Sequence, residues 1–287
     1  MDRILFGDNQ FFAVNHLSDE KSREQSVRFR ETKAIIQVLD GAHKLGLNTF
    51  MCTTHDRIAE VADHIRSNEA QYSQFQFYPC MPYAHKYANA VTDYGIVGAL
   101  QQYLPGNILS TVFKGGMSLA TRDYVSMMEM LIDSEMKMFR GLKTGAVFLQ
   151  NVVTDLVLGL GMKEFLVGFA EYVSKKYGAS PGFITMNLPL TLKTLRECNI
   201  RNAVVCTSIN KIGFRMPAGR EVYEDVLRNS EYPVIAMQVL AAGAIPPREA
   251  LEYVSRLQGV TSILFGASTL SHIRETKELI ELNDRER

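Results

Sequence analysis

Eight short apolar runs of strand length recur along the chain, each followed by a stretch with helical spacing. That alternation narrows the available folds more than any other feature, because strand–helix–strand units build parallel strands joined by helical crossovers. The runs fall at residues 4–7, 48–53, 75–81, 146–153, 182–187, 203–208, 234–239 and 262–265. The clearest unit spans residues 233–268. Its strand ends in the small-residue turn Leu240-Ala241-Ala242-Gly243. Pro246 and Pro247 then suit a helix start, where backbone N–H groups are unpaired anyway. Ala250, Leu251, Val254 and Leu257 recur at helical spacing, and Gly259 lies where positive φ is cheap. In a chain of 287 residues, eight such units predict one α/β domain over residues 1–287, a single (β/α)8 TIM barrel. A doubly wound open sheet is the alternative.

One connection is too long for this repeat. Residues 105–145 read as an extra helical insertion between the third and fourth strands, with a methionine-rich helix over residues 121–139. Met127, Met130, Leu131 and Met138 fall on one stripe of that helix, widened by Met128 and Ile132. The stripe either packs on the barrel's own outer wall or forms a homo-oligomer interface, where flexible methionines adapt to a partner.

Charge narrows the partners. Lys plus Arg and Asp plus Glu both number 31, which leaves no basic footprint for nucleic acid or an anionic membrane surface. The N-terminal residues have no apolar signal-peptide core, and no apolar run is long enough to span a bilayer. The four cysteines show no CxxC spacing, so reduced thiols and a cytoplasmic location are expected.

In barrels of this kind the chemistry sits just after the carboxyl ends of the strands. The residues collected there are Asp8, Asn9 and Gln10, then Cys52 to Asp56, then Tyr83, His85 and Lys86, then Gln150 and Asn151. Asn187, Ser208, Asn210, Lys211 and Gln238 follow. The amide-rich ring of Asn9, Gln10, Asn151, Asn187, Asn210 and Gln238, with His85, suits a polar small-molecule ligand bearing hydroxyl or carbonyl groups. Gly243, and Gly266, Ala267, Ser268 and Thr269, provide small residues for close backbone approach to an anion at the last two strands.

Lys211 is the candidate for amine catalysis, since a lysine desolvated at a strand end can form a Schiff base. The alternative is a solvated loop lysine that steers anions. His55 and Asp8 are the candidate acid and base. His16, His55 and His85 with Asp8 or Asp56 would suit a divalent metal, but HxH and HExxH spacings are absent, so no metal ligands are assigned. Asp56 reads as a helix cap. The leading reading is a lyase or isomerase acting on a small, polar, anionic or phosphorylated carbonyl or sugar-like metabolite. A nicotinamide-dependent oxidoreductase and a non-catalytic binding barrel are the alternatives.

The stretches PVIAMQVLAAGAIPPREALEYV and GVTSILFGASTLSHIRETKELI resemble the seventh and eighth units of the aldo-keto reductases, and GLNTF at residues 46–50 resembles their second strand. The resemblance implies a barrel in which the loop and helix after the last strand grip the adenosine phosphate of NADP. That would place Gly266, Ala267, Ser268 and Arg274 at the cofactor. The family's reductive Asp, Tyr, Lys and His tetrad is not matched. Met51 fills the Asp position, Asp56 lies near the Tyr position, FQFYPCM has no lysine, and Gln150 and Asn151 stand in place of His.

Overall fold

In the computed structural model, described for residues 1–12, 19–83 and 123–285, the eight strands close into a barrel. They are β1 (Ile4–Gly7), β2 (Thr49–Thr53), β3 (Gln76–Met81), β4 (Ala146–Leu149), β5 (Ser180–Thr185), β6 (Val204–Ser208), β7 (Val234–Met237) and β8 (Val260–Phe265). Each pairs in parallel with the next, and β8 returns to β1. The expected (β/α)8 barrel is what forms. The helices around it are α1 (Asp19–Arg28), α2 (Thr32–Lys44), α3 (Asp56–Ser67), α4 (Asp123–Met136), α5 (Asn151–Gly159), α6 (Lys163–Tyr172), α7 (Leu188–Glu197), α8 (Arg220–Arg228), α9 (Pro247–Arg256) and α10 (Leu270–Arg285).

Strand alternation divides the core in two. Leu5, Met51, Tyr78, Cys80, Phe148, Cys206 and Ile235 fill the barrel's interior. Their neighbours Phe6, Phe50, Phe77, Phe183, Val205 and Ile263 point outward to the apolar stripes of the helices, such as Ile35 and Leu39 of α2 and Ile58 and Val61 of α3. Strands covered on both sides must be apolar on both faces, which is why they read as continuous runs. Gly182 on β5 is needed for this packing, because a Cβ there would lie 2.3 Å from the Phe148 ring.

The seam between the first and last strands is reinforced beneath β1. Arg3 grips Asp284 of α10 with Nε at 2.9 Å and Nη2 at 2.8 Å, while its Nη1 donates to the Val260 carbonyl at 2.9 Å. Arg3→Ala is expected to destabilise the protein by about 2 kcal/mol, since it removes a forked, part-buried ion pair and leaves that carbonyl unmatched. Urea unfolding would check it, and a change below about 0.5 kcal/mol would show the clamp to be idle.

Two features differ most from the sequence reading. The fourth strand stops at Leu149 rather than running to Val153, because Gln150 becomes the N-cap of α5. The insertion helix buries Met128, Ile132 and Met136, leaving Met127, Met130, Leu131 and Met138 half-buried. The deepest stripe is thus rotated from the expected one and packs within the chain, against the same core as β3 and α6. His16, His85 and Lys86, with the first part of the insertion, lie outside the described residues. Among the described residues, no helix is long and apolar enough to cross a membrane.

Candidate active site

At the carboxyl ends of β1, β2 and β3 the chain gathers acid, imidazole and phenol groups. Asp8 directly follows β1 and is 5% exposed. Its Oδ2 accepts from both the backbone N–H and the hydroxyl of Thr53, each at 2.7 Å. Burial pushes its carboxyl up from 3.8 to about 6, against the pull of the Thr53 bonds. Tyr83, just past β3, has its phenol raised first by burial and then by the charge of Asp8.

His55 lies between them in sequence and caps α3, with Nδ1 accepting from the Arg57 N–H at 3.1 Å. A neutral His55 therefore carries its proton on Nε2. Its ring stacks on Phe12, with centroids 4.2 Å apart, and sits 5.5 Å from the ring of Tyr83. Arg57 covers Phe12 at 5.0 Å and also binds the carbonyls of Phe11 and Phe29. Asp56, expected to cap α3, instead occupies its first turn, where a carboxylate complements the helix dipole.

The other half of the mouth is built differently. Gln10 is 5% exposed. It donates from Nε2 to the Gly7 carbonyl at 2.8 Å, which directs its Oε1 against Gly266, where a Cβ would lie only 2.0 Å away. That Oε1 is buried and unpartnered. After β7 the backbone turns left-handed at Gln238, Ala241, Ala242 and Gly243, with φ of 54°, 48°, 58° and 98°. Left-handed non-glycine residues cost on the order of 1 kcal/mol each and tend to cluster at functional turns. The Gln238 Oε1 accepts from the Ser208 hydroxyl at 2.6 Å. Because β7 and β8 are parallel neighbours, the Gly243 and Gly266 turns leave the same end of the barrel, as expected.

Several predicted ligand residues also have structural work. Asn210 is fully buried, and both ends of its amide bind the Phe214 backbone at 2.8 Å. These bonds shape its loop. Asn187 caps α7 through the Leu190 N–H, and Thr269 receives the His272 N–H at the start of α10. Asn151 opens α5 and is half-buried, while Asn9 and Arg274 are exposed. Ala267 and Ser268 are half-buried in the turn before α10.

Lys211 is exposed and pairs with Glu249 at 2.7 Å. The desolvation that amine catalysis would need is absent there. Lys211→Met is expected to shift stability by no more than about 0.5 kcal/mol, and thermal unfolding would check it. Among the described residues, no group of three or more His, Cys, Asp or Glu is placed to hold a metal ion.

Two acids escaped the sequence reading. Glu135 of α4 is 2% exposed. It accepts from the Thr54 hydroxyl at 2.5 Å and the Tyr83 N–H at 3.3 Å. Asp155 of α5 accepts from the Thr185 hydroxyl at 2.5 Å and the Met186 N–H at 3.0 Å, and burial raises its carboxyl. Glu135 sits in a helix that otherwise reads as wall packing, and Asp155 in one whose apolar start reads as the end of a strand.

The architecture is that of the aldo-keto reductase barrels. No family model and no curated protein matches the sequence, but solved structures align over nearly all of it. A Pseudomonas aeruginosa protein assigned to the aldo-keto reductases aligns with a TM-score of 0.60 at 14% identity, covering 98% of this chain and 90% of that one. A thermostable aldo-keto reductase solved with the inhibitor epalrestat gives 0.57 at 11%, over 99% and 95%. An aldo-keto reductase from Klebsiella pneumoniae, solved with NADPH, gives 0.55 at 9%, over 98% and 86%. These neighbours overturn the lyase or isomerase reading: they are reductase barrels, and Lys211 lacks the setting that reading required.

Proposed function

We propose that the chain is a nicotinamide-dependent oxidoreductase with a rearranged proton-handling site, acting on a small polar carbonyl compound. The observation that carries this reading is a buried carboxyl, Asp8, tuned to about 6 at the carboxyl end of a reductase-type barrel. The familiar tetrad is missing for physical reasons. Met51 points into the apolar interior, Asp56 is exposed, β3 carries no lysine, and Gln150 donates to the Cys80 carbonyl. Proton handling then falls to Asp8, Tyr83 and His55.

A nicotinamide dinucleotide would supply hydride when bound. The turns after β7 and β8 suit one. Gly243 has open space where a Cβ would stand, Gly266 admits none, and the buried Gln10 Oε1 lies beside it as an acceptor. The backbones of these turns, with Asn187, Gln238, Ser268 and Arg274, are the groups proposed to hold it. The chain's own residues do the rest. Tyr83, a neutral phenol, donates a proton to the developing alkoxide. Asp8, protonated in about a tenth of molecules at neutral pH, exchanges protons at the mouth. His55 orients the carbonyl oxygen from Nε2–H.

A cytoplasmic location fits this reading, since Cys52, Cys80 and Cys206 are free and buried. Self-association through Met127 and Met130 is proposed for the outer side of α4. Titration with NADPH, followed by nucleotide fluorescence, tests the central claim, with absorbance assays on a panel of aldehydes, ketones and dicarbonyls. Failure to bind either nicotinamide nucleotide would sink it. Binding without turnover on any carbonyl would favour a non-catalytic binding barrel.

A further inference from the structure

Glu135 poses a physical problem that wall packing does not answer. On the same face of α4, Met128, Ile132 and Met136 are buried as apolar groups should be. Glu135 among them is equally buried, and removing an ionised carboxylate from water carries a large penalty unless specific bonds offset it. The setting is otherwise unhelpful, since an acid in the last turn of a helix opposes its dipole. Two loops contribute to that offset. Oε2 accepts from Thr54, which precedes His55, and Oε1 accepts from the backbone N–H of Tyr83. One carboxylate therefore ties the turn after β2 to the turn after β3.

The helix that delivers it is itself fixed from outside. Asp133, two residues earlier, accepts from Tyr172 at 2.8 Å and Tyr177 at 2.5 Å and pairs with Lys176. These anchors lie on α6 and the turn that follows it. Val125 packs against Gly168 of α6, 3.2 Å from where a Cβ would stand. The inserted helix is thus held along one side by α6, and near its C-terminal end it presents a carboxylate to the barrel mouth.

We propose that Glu135 is a positioning residue for Tyr83, holding its ring against His55 by bridging the two loops. The catalytic meaning of that placement rests on the oxidoreductase reading, whereas the placement itself does not.

Glu135→Met and Glu135→Gln test it. Glu135→Met keeps the volume and apolar contacts of the wall but removes both acceptors, while Glu135→Gln keeps an acceptor and loses the charge. The Tyr83 phenol is followed by fluorine NMR in protein labelled with 3-fluorotyrosine, its resonance assigned by loss in Tyr83→Phe. In Glu135→Met its titration midpoint is expected to fall toward that of an exposed tyrosine, because burial and Asp8 are what raise it. Carbonyl turnover is expected to drop about 30-fold with KM changed less than about threefold, and Glu135→Gln to recover at least about a third of the loss. NADPH affinity should be unchanged.

An unmoved Tyr83 resonance and midpoint in folded Glu135→Met would overturn the proposal, whether or not the wild type turns over. So would losses that add in the Glu135→Met, Tyr83→Phe double variant, since residues acting through one another do not add. If Glu135→Met fails to fold, Thr54→Val, which cuts the other leg of the bridge, overturns it equally if the Tyr83 titration is unmoved. Absence of NADPH binding in the wild type would refute the oxidoreductase reading and leave the Tyr83 titration to decide positioning alone.

Discussion

Asp8→Asn is expected to lower carbonyl turnover by about 10²–10³-fold while making the protein more stable at pH 8. The two effects share one cause. The folded state raises the Asp8 carboxyl from 3.8 to about 6 because burial penalises the charge. A raised value means the folded state binds the proton more tightly than the unfolded chain does. The stability this contributes is fully present below pH 3.8 and is lost as pH rises through about 6. Above pH 7 the ionised group costs on the order of 3 kcal/mol. An asparagine keeps an oxygen that can accept both Thr53 bonds and never ionises. Urea unfolding should therefore show the variant gaining on the wild type as pH rises from 4 to 8, with little difference at the acid end. A variant less stable than wild type at pH 8 would refute the assignment, and unchanged turnover would remove Asp8 from the chemistry.

Gly259→Ala carries the largest expected effect on folding. The residue joins α9 to β8 at φ +85°, and a Cβ there would lie 2.1 Å from the Leu227 carbonyl oxygen at the end of α8. Both partners are backbone, so neither can swing aside as a flexible side chain would. Strain and overlap together should exceed about 4 kcal/mol, the range seen when a site cannot relax. Circular dichroism and expression as soluble protein would check this. A variant that unfolds within about 1 kcal/mol of the wild type would mean that the α8–β8 junction has room to move.

The sequence made the barrel legible because its strands are buried on both faces, so each appears as a short apolar run between turns. It failed at the end of β4 for a related reason. Val152, Val153, Leu156, Val157 and Leu158 are apolar nearly all round α5, which erases the difference between a strand run and a helix start. The site was legible only in part. Residues that follow strands could be collected from position, and Asp8 and His55, to which proton-handling roles are proposed, were collected that way. What consumes a polar group could not be seen: Asn210 is spent on Phe214, and Lys211 on Glu249. Glu135 and Asp155 were hidden, because a lone acid on an apolar helix gives no sign of which loop it will reach.

The Arg3 clamp beneath the seam has a consequence for refolding. A barrel has no edge strands, but it acquires two the moment β1 and β8 part. Their sequences, ILFG and VTSILF, carry no charge and no proline, and strands of that kind pair readily with copies of themselves. Arg3, which directly precedes β1, puts a positive charge beside that exposed pair. Arg3→Ala should therefore do more than lower equilibrium stability. Its refolding yield should fall with protein concentration more steeply than the wild type's, as open-seam molecules meet edge to edge.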